Sequence, residues 1–130
     1  MVATDAEIKK EYERIGAWGL LASIDLHECN REKVRSEKAL REFILELLEV
    51  IDMKGFGEPL VVRFGEGELE GWSGVQMIET SNLAVHLEEI KNRVFLDIFS
   101  CKYFEILPAC EFAKKFWEAK DYDFSYKLRF

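Results

Sequence analysis

The sequence predicts an α/β fold, a two-layer sandwich in which helices cover one face of a mainly antiparallel sheet. Two observations predict it. Several short strand-like segments follow one another with only short turns between them, and two longer segments carry apolar residues at helical spacing. Strands joined by short turns pair antiparallel, and amphipathic helices bury their apolar stripes against such a sheet. We expect one domain over residues 1–130, because no linker, repeat or low-complexity segment divides them.

The first three elements are a helix, a strand and a longer helix. Residues 5–15 carry apolar side chains at helical spacing, and residues 16–26 alternate as a strand does. Asn30 is a good N-cap candidate for the longer helix. The apolar stripe of that helix predicts about five turns. Its members are Leu40, Phe43, Ile44, Leu47, Leu48 and Ile51.

Four strands, a second amphipathic helix and a last strand complete the predicted order. We expect a turn at residues 80–82, between the strands predicted at residues 72–79 and 83–88. Pro108 stands where the first position of a helix is expected, and the alternation of residues 122–130 predicts the final strand. The four strands are predicted at residues 59–64, 72–79, 83–88 and 93–100.

Composition and charge exclude several classes of protein. The 18 basic residues are outnumbered by 25 acidic ones and form no run, so we expect no nucleic-acid partner, because phosphate contacts need a concentrated positive surface. No apolar stretch approaches the roughly 20 residues of a membrane-spanning helix, so we expect no membrane partner. The sequence has an odd number of cysteines, and no two of them form a C-x-x-C pair; they are Cys29, Cys101 and Cys110. This pattern predicts reduced thiols, a cytoplasmic location and no metal site.

Few residues are marked for chemistry by pattern alone. His27 and His86 are the only histidines, so imidazole chemistry must use one of them. The sequence has no G-x-S-x-G, phosphate-binding loop or H-E-x-x-H motif. Without a family comparison, the residues indicate an α/β domain with a cysteine and a histidine on neighbouring strands.

The stretch from Trp72 to Cys101 resembles the core of the prokaryotic S-adenosylmethionine decarboxylases. That family has a G-x-S-G-V strand, a Glu-Ser-His cleavage turn, a second histidine and a strand that ends in D-[VI]-F-[TS]-C. Here Ser73 lies eight residues before Ser81, which lies five before His86. His86 lies fifteen residues before Cys101, so all three intervals match the family's spacing. The flanking elements agree as well, and the resemblance extends from about residue 16 to the end of the sequence.

The resemblance implies a decarboxylase whose cofactor is a pyruvoyl group made from its own chain. The serine aligned with Ser81 would attack the carbonyl of Thr80, and elimination from the resulting ester would cut the chain. The pyruvoyl ketone forms a Schiff base with an α-amine, and the iminium stabilises the carbanion left by departing CO₂. Ser73 and His86 would handle the proton lost in elimination, and Cys101 would protonate the carbanion. The resemblance also implies a homodimer with shared active sites and a small-molecule substrate.

The sequence departs from the family around the substrate. Thr80 replaces the family's glutamate before the cleavage serine, and Ile90 stands where the family has the glutamate that holds the ribose hydroxyls. An isoleucine cannot accept those hydrogen bonds. Glu88 and Glu89 are the acidic candidates that could bind a polar substrate instead, although solvent exposure is the ordinary role of such residues. Phe64 is a candidate for stacking on adenine, with core packing as its ordinary role.

Three functions compete at this point. The first choice is an S-adenosylmethionine decarboxylase in polyamine biosynthesis. The second keeps the pyruvoyl chemistry and acts on arginine or ornithine, which the lost ribose contact would favour. The third is an uncleaved homologue with a binding or regulatory role. Outside the family context Ser81 is an ordinary turn residue and Cys101 an ordinary buried thiol.

Overall fold

A computed structural model describes residues 4–130 and confirms the predicted two-layer α/β sandwich. The helices are α1 (Asp5–Ile15), α2 (Glu37–Val50) and α3 (Ile106–Trp117), with single 3-10 turns at Lys33–Arg35 and Gly67–Leu69. The strands are β1 (Gly19–His27), β2 (Leu60–Phe64), β3 (Gly71–Ile78), β4 (Ser81–Glu88), β5 (Arg93–Ser100) and β6 (Asp121–Arg129). They form one sheet in the order β2-β3-β4-β5-β1-β6, with every neighbouring pair antiparallel. In the described part of the chain, no helix is long and apolar enough to cross a bilayer.

The core lies between the helices and one face of the sheet. Alternate residues of each central strand point into it, and on β5 these are Val94, Leu96 and Ile98, all without exposed surface. The stripe predicted on α2 is buried as expected. Phe43 of this stripe contacts the Trp117 ring of α3, with ring centroids 5.2 Å apart. Aromatic packing thus joins the two long helices above the sheet.

The N-cap predicted for α2 is wrong. Asn30 Oδ1 accepts hydrogen bonds from the backbone N–H groups of Glu32 and Lys33, each at 3.0 Å, and so begins the first 3-10 turn. Ser36 caps α2 instead, because its Oγ accepts from the N–H of Ala39 at 3.0 Å. The 3-10 turn takes up the residues between the two caps, and α2 is therefore shorter than the predicted five turns.

The start predicted for α3 is also wrong, and the reason is a long-range cap. The helix begins at Ile106, two residues before Pro108. The carboxylate of Asp5, on α1, accepts from the N–H groups of Ile106 at 2.7 Å and Leu107 at 3.1 Å. Pro108 is tolerated at the third position, because the first four N–H groups of a helix have no partner within it.

Two further boundaries differ from the prediction. Strand β1 begins at Gly19 and not at Gly16, because Gly16 adopts φ +66° and ends α1 in the left-handed conformation. The turn between β3 and β4 consists of Glu79 and Thr80 alone, and Ser81 is already the first residue of β4. Ser81 pairs directly with Ile78 across this hairpin.

The other face of the sheet, here called the open face, is covered by no helix among residues 4–130. At the β2–β3 end it presents exposed apolar side chains, and Met77 is 55% exposed. At the β1–β6 end it is acidic, with Asp25 directly opposite Asp123. The exposed apolar residues of β2 and β3 are Leu60, Val62, Phe64, Val75 and Met77.

Candidate active site

The predicted site residues fall into two groups at different places on β4. Ser81 shares the helix-facing side of the strand with Leu83, whereas His86 lies on the open face. Five residues of strand, at about 3.3 Å each, separate their Cα atoms by roughly 16 Å. In the uncut chain the structure therefore does not bring the Ser81 hydroxyl to His86. An odd interval within one regular strand is the sequence signal that could have shown this.

Ser73 and His86 form the first group. They are direct cross-strand neighbours on β3 and β4, and Ser73 Oγ lies 2.9 Å from His86 Nδ1. This is a hydroxyl–imidazole pair of the kind that transfers protons. Both residues line a cavity of about 210 Å³, whose wall also includes Phe64 and Glu88. Four residues selected from the sequence thus meet at one cavity.

Glu88 is held at this cavity by its own neighbours. Its carboxylate accepts from Arg93 at 3.2 Å and from the N–H of Lys91 at 2.9 Å. Burial opposes ionisation of Glu88, but the hydrogen bonds from Arg93 and from the Lys91 amide outweigh it, so the pKa of Glu88 lies below its ordinary value. The carboxylate is therefore charged at neutral pH and partly neutralised by Arg93.

Glu89 is part of an ion-pair network and does not face solvent. Its side chain is 16% exposed, and Arg63 donates to it at 2.8 Å. Hydrogen bonding by Arg63 lowers the pKa of Glu89 below its usual value. Arg63 also donates to Glu70 at 2.7 Å, and Arg35 approaches Glu89 at 3.9 Å. Glu70 lines the cavity, as does Glu68, which sequence reasoning did not select.

The second group surrounds the turn before Ser81. The carbonyl oxygen of Thr80 accepts a hydrogen bond from the backbone N–H of Cys101 at 3.0 Å. On the other side of the hairpin, the N–H of Glu79 donates to the carbonyl of Lys54 at 3.0 Å. The residues around the Thr80–Ser81 peptide bond are thus held on both flanks. The thiol of Cys101 belongs to an exposed residue at this same place.

Ser100 lies behind the turn and was missed by sequence reasoning. It is fully buried, and its Oγ donates to Thr80 Oγ1 at 2.7 Å while accepting from the N–H of Lys102 at 2.9 Å. The sulfur of Met53 lies 3.3 Å from Thr80 Oγ1. Ser100 ends the buried stripe of β5, and a hydroxyl at an apolar position of that alternation is the signal that marks it.

Neither the buried thiols of Cys29 and Cys110 nor the potential metal ligands among residues 4–130 form a functional site. Burial raises the pKa values of Cys29 and Cys110 to about 12, which leaves their thiols protonated and unreactive. Among residues 4–130, no group of three or more histidine, cysteine or acidic side chains could hold a metal ion.

Comparisons with known proteins found one family profile and a similar solved structure. The sequence profile of the S-adenosylmethionine decarboxylase family matches residues 21–130. The fold is similar to the crystal structure of the adenosylmethionine decarboxylase from Aquifex aeolicus VF5, with a TM-score of 0.73 and 16% sequence identity. That match covers 87% of this chain and 91% of the other. No match was found among curated proteins.

Proposed function

This chain belongs to the S-adenosylmethionine decarboxylase family, and we propose that it cuts itself before Ser81 and decarboxylates an amino-acid-type substrate with the resulting pyruvoyl group. The single domain expected over residues 1–130 would carry both the cleavage site and the Ser73–His86 cavity. S-adenosylmethionine is the first-choice substrate, and the reaction would serve polyamine biosynthesis in the cytoplasm. The unpaired thiols of Cys29, Cys101 and Cys110 are consistent with that compartment.

The observation that carries the proposal is the hydrogen bond from Cys101 N–H to the Thr80 carbonyl. When Ser81 Oγ attacks this carbonyl carbon, negative charge develops on the oxygen that already accepts from Cys101 at 3.0 Å. A fixed donor at that position stabilises the charge and polarises the carbonyl beforehand. The flanking contact of Glu79 with Lys54 limits the motion of the turn. These contacts support the peptide bond before Ser81 as the cleavage site of this proposal.

The chemistry balances without an external oxidant. The bond between the Thr80 carbonyl and the Ser81 nitrogen breaks, an ester to Ser81 Oγ forms, and the hydroxyl proton passes to the nitrogen. The Ser73–His86 pair would accept the Ser81 Cα proton, and its loss expels Thr80 as a carboxylate and leaves a dehydroalanine. Its tautomer, an imine, is hydrolysed by water, which releases ammonia and gives the pyruvoyl group.

The two steps need different geometries. Ester formation involves only neighbouring residues of the turn, whereas elimination would need His86, roughly 16 Å away along β4. The ester lengthens the connection by one atom and removes the Ser81 amide from the strand pairing, which would free the first residues of β4. The new terminus could then turn toward the open face, where Ser73 and His86 line the cavity. Cys101 would then protonate the substrate carbanion.

The cavity supports a small, polar substrate. Phe64 offers an apolar wall, and Glu88 and Glu68 offer carboxylates. Ile90 stands at the position that the resemblance aligns with the family's ribose-binding glutamate, and it is 60% exposed. The missing carboxylate favours arginine or ornithine as alternative substrates. In our proposal Glu89 contributes by orienting Arg63 beside the cavity.

A homodimer forms part of the proposal. The apolar end of the open face, including Val75 and Met77, would be covered by a second copy of the chain. Because Ser73 and His86 also lie on the open face, each cavity would then border the partner protomer.

A second candidate function is an uncleaved, non-catalytic homologue that binds a small molecule or a partner. The observation in its favour is the position of Ser81 on the opposite side of β4 from His86. In this alternative, the Ser73–His86 cavity is retained for binding, and the hydroxyl of Ser81 has no chemical role.

Intact mass spectrometry of the purified protein separates these functions. Self-cleavage predicts two fragments, residues 1–80 and a pyruvoyl-led piece from position 81, and Ser81→Ala should give one uncut chain. Ser125→Ala, which removes a hydroxyl from distant β6, is the matched control and should cut like the wild type. CO₂ release from S-adenosylmethionine, arginine and ornithine then identifies the substrate. A wild-type chain that stays whole after prolonged incubation refutes the enzyme and leaves the binding role.

A further inference from the structure

We infer that Ser100 is a positioning residue for the first step of self-cleavage, an assignment that rests on the proposed function. Ser100 has no exposed surface, and its hydroxyl makes hydrogen bonds with residues on both sides of it, Thr80 and Lys102. It donates to Thr80 Oγ1 at 2.7 Å and accepts from the N–H of Lys102 at 2.9 Å. One side chain therefore contacts both Thr80, whose carbonyl accepts from Cys101, and Lys102, which follows Cys101 in the chain.

These contacts define the geometry of the attacked carbonyl. The bond to Thr80 Oγ1 fixes the side chain of the residue whose carbonyl is attacked. The bond to Lys102 fixes the backbone immediately after Cys101, which supplies the N–H donor. Ser100 is also the direct cross-strand partner of the nucleophile, Ser81. A buried hydroxyl with both hydrogen-bonding functions satisfied has few alternative positions, and therefore holds donor, carbonyl and nucleophile in one arrangement.

The role differs from that of a group that acts on the later elimination. His86 is too far from Ser81 in the uncut chain to influence ester formation, whereas Ser100 acts through the turn before any bond changes. Loss of Ser100 should therefore slow ester formation itself. Misplacing a reacting group by about 1 Å costs up to roughly 100-fold in rate, so we expect Ser100→Ala to slow cleavage by between about 10- and 100-fold.

Hydroxylamine makes the assignment testable, because it cleaves an ester but not a peptide bond. The time course of cleavage is followed by intact mass, with and without hydroxylamine, for wild type, Ser100→Ala and His86→Ala. We expect hydroxylamine to accelerate cutting of His86→Ala, which accumulates ester, and to leave Ser100→Ala slow. A Ser100→Ala chain that cuts at the wild-type rate overturns the assignment, and so does one restored by hydroxylamine, since Ser100 would then act after the ester.

Thr80→Val removes the hydroxyl partner while keeping the shape of the side chain, and provides an independent test. We expect it to slow cleavage, and the double variant to be no slower than the slower single one, because Ser100→Ala already breaks the contact that Thr80→Val removes. Additive effects would overturn the assignment. Thermal unfolding of each variant in a Ser81→Ala background distinguishes slow cleavage from loss of the fold. An uncut wild type refutes the proposed function as well, whereas a cutting wild type with unaffected variants refutes Ser100 alone.

Discussion

Replacing Cys101 by proline should nearly abolish self-cleavage, while replacing it by alanine should not. Proline has no N–H and removes the donor that lies 3.0 Å from the Thr80 carbonyl oxygen. Alanine removes the thiol and keeps the donor. The two variants therefore separate the backbone role of Cys101 in cutting the chain from the role proposed for its thiol in decarboxylation.

The size of the effect follows from where the charge develops. In the uncut chain this is one neutral hydrogen bond, worth about 1 kcal/mol to stability. In the tetrahedral intermediate the same donor faces an oxyanion, and removing one such donor typically slows acyl transfer by about 100- to 1,000-fold. Cys101 is an exposed residue, where water can partly replace the lost donor. We therefore expect the lower end, about 100-fold.

The assay is intact mass against time for Cys101→Pro, Cys101→Ala and wild type. Each substitution is also made in the Ser81→Ala background, and circular dichroism with thermal unfolding shows whether the sheet has formed. We expect Cys101→Ala to be cut at the wild-type rate and Cys101→Pro to be cut far more slowly. A folded Cys101→Pro chain that cuts within about threefold of the wild-type rate would refute the oxyanion role, because even one ordinary hydrogen bond is worth more than that in the intermediate.

Three further predictions concern stability and assembly. Asp5→Ala should lower the free energy of unfolding by about 1–2 kcal/mol, measured by urea denaturation, because it removes the cap of α3; an unchanged midpoint would show that water replaces the carboxylate. Glu89→Gln should cost more stability at pH 7 than at pH 3. The folded-state pKa of Glu89 is lowered, so its ion pairs stabilise the fold above the ordinary glutamate pKa of about 4.3 and lose this effect as the pH falls through the folded-state value. Equal costs at the two pH values would contradict it. Met77→Asp should weaken the proposed dimer at least about tenfold in sedimentation velocity, because burying a methionine is worth about 1.5–3 kcal/mol and a carboxylate in the same place is unfavourable.

The elements themselves could be predicted from the sequence because their signals are local. The apolar stripe of α2 and the alternation of β5 each depend on side chains within a few residues of one another, and both are found where expected. The start of α3 could not be predicted, since its cap comes from Asp5, about a hundred residues away in the chain. A proline is a helix-start signal only when the cap lies next to it.

The resemblance selected Ser73, Ser81, His86 and Cys101 as candidate site residues. In the structure Ser73 and His86 are in hydrogen-bond contact, whereas Ser81 and Cys101 lie at the turn before β4. The sequence predicted Ser81 in the turn and not in the strand; because Ser81 is already the first residue of β4, its odd interval to His86 puts the two side chains on opposite faces. The alternation of β5 marks Ser100 as a buried hydroxyl, but its partner, Thr80, lies twenty residues away in the chain and could not be identified from local pattern.

The strand order has a consequence for the fate of a cut chain. A break before Ser81 gives one piece that contains β1, β2 and β3 and another that contains β4, β5 and β6. In the sheet these pieces interleave, because β1 of the first piece is inserted between β5 and β6 of the second. Separating the two polypeptides would break three of the five strand pairings of the sheet, β3–β4, β1–β5 and β1–β6. A single scission would thus create two chains that stay together for as long as those pairings hold.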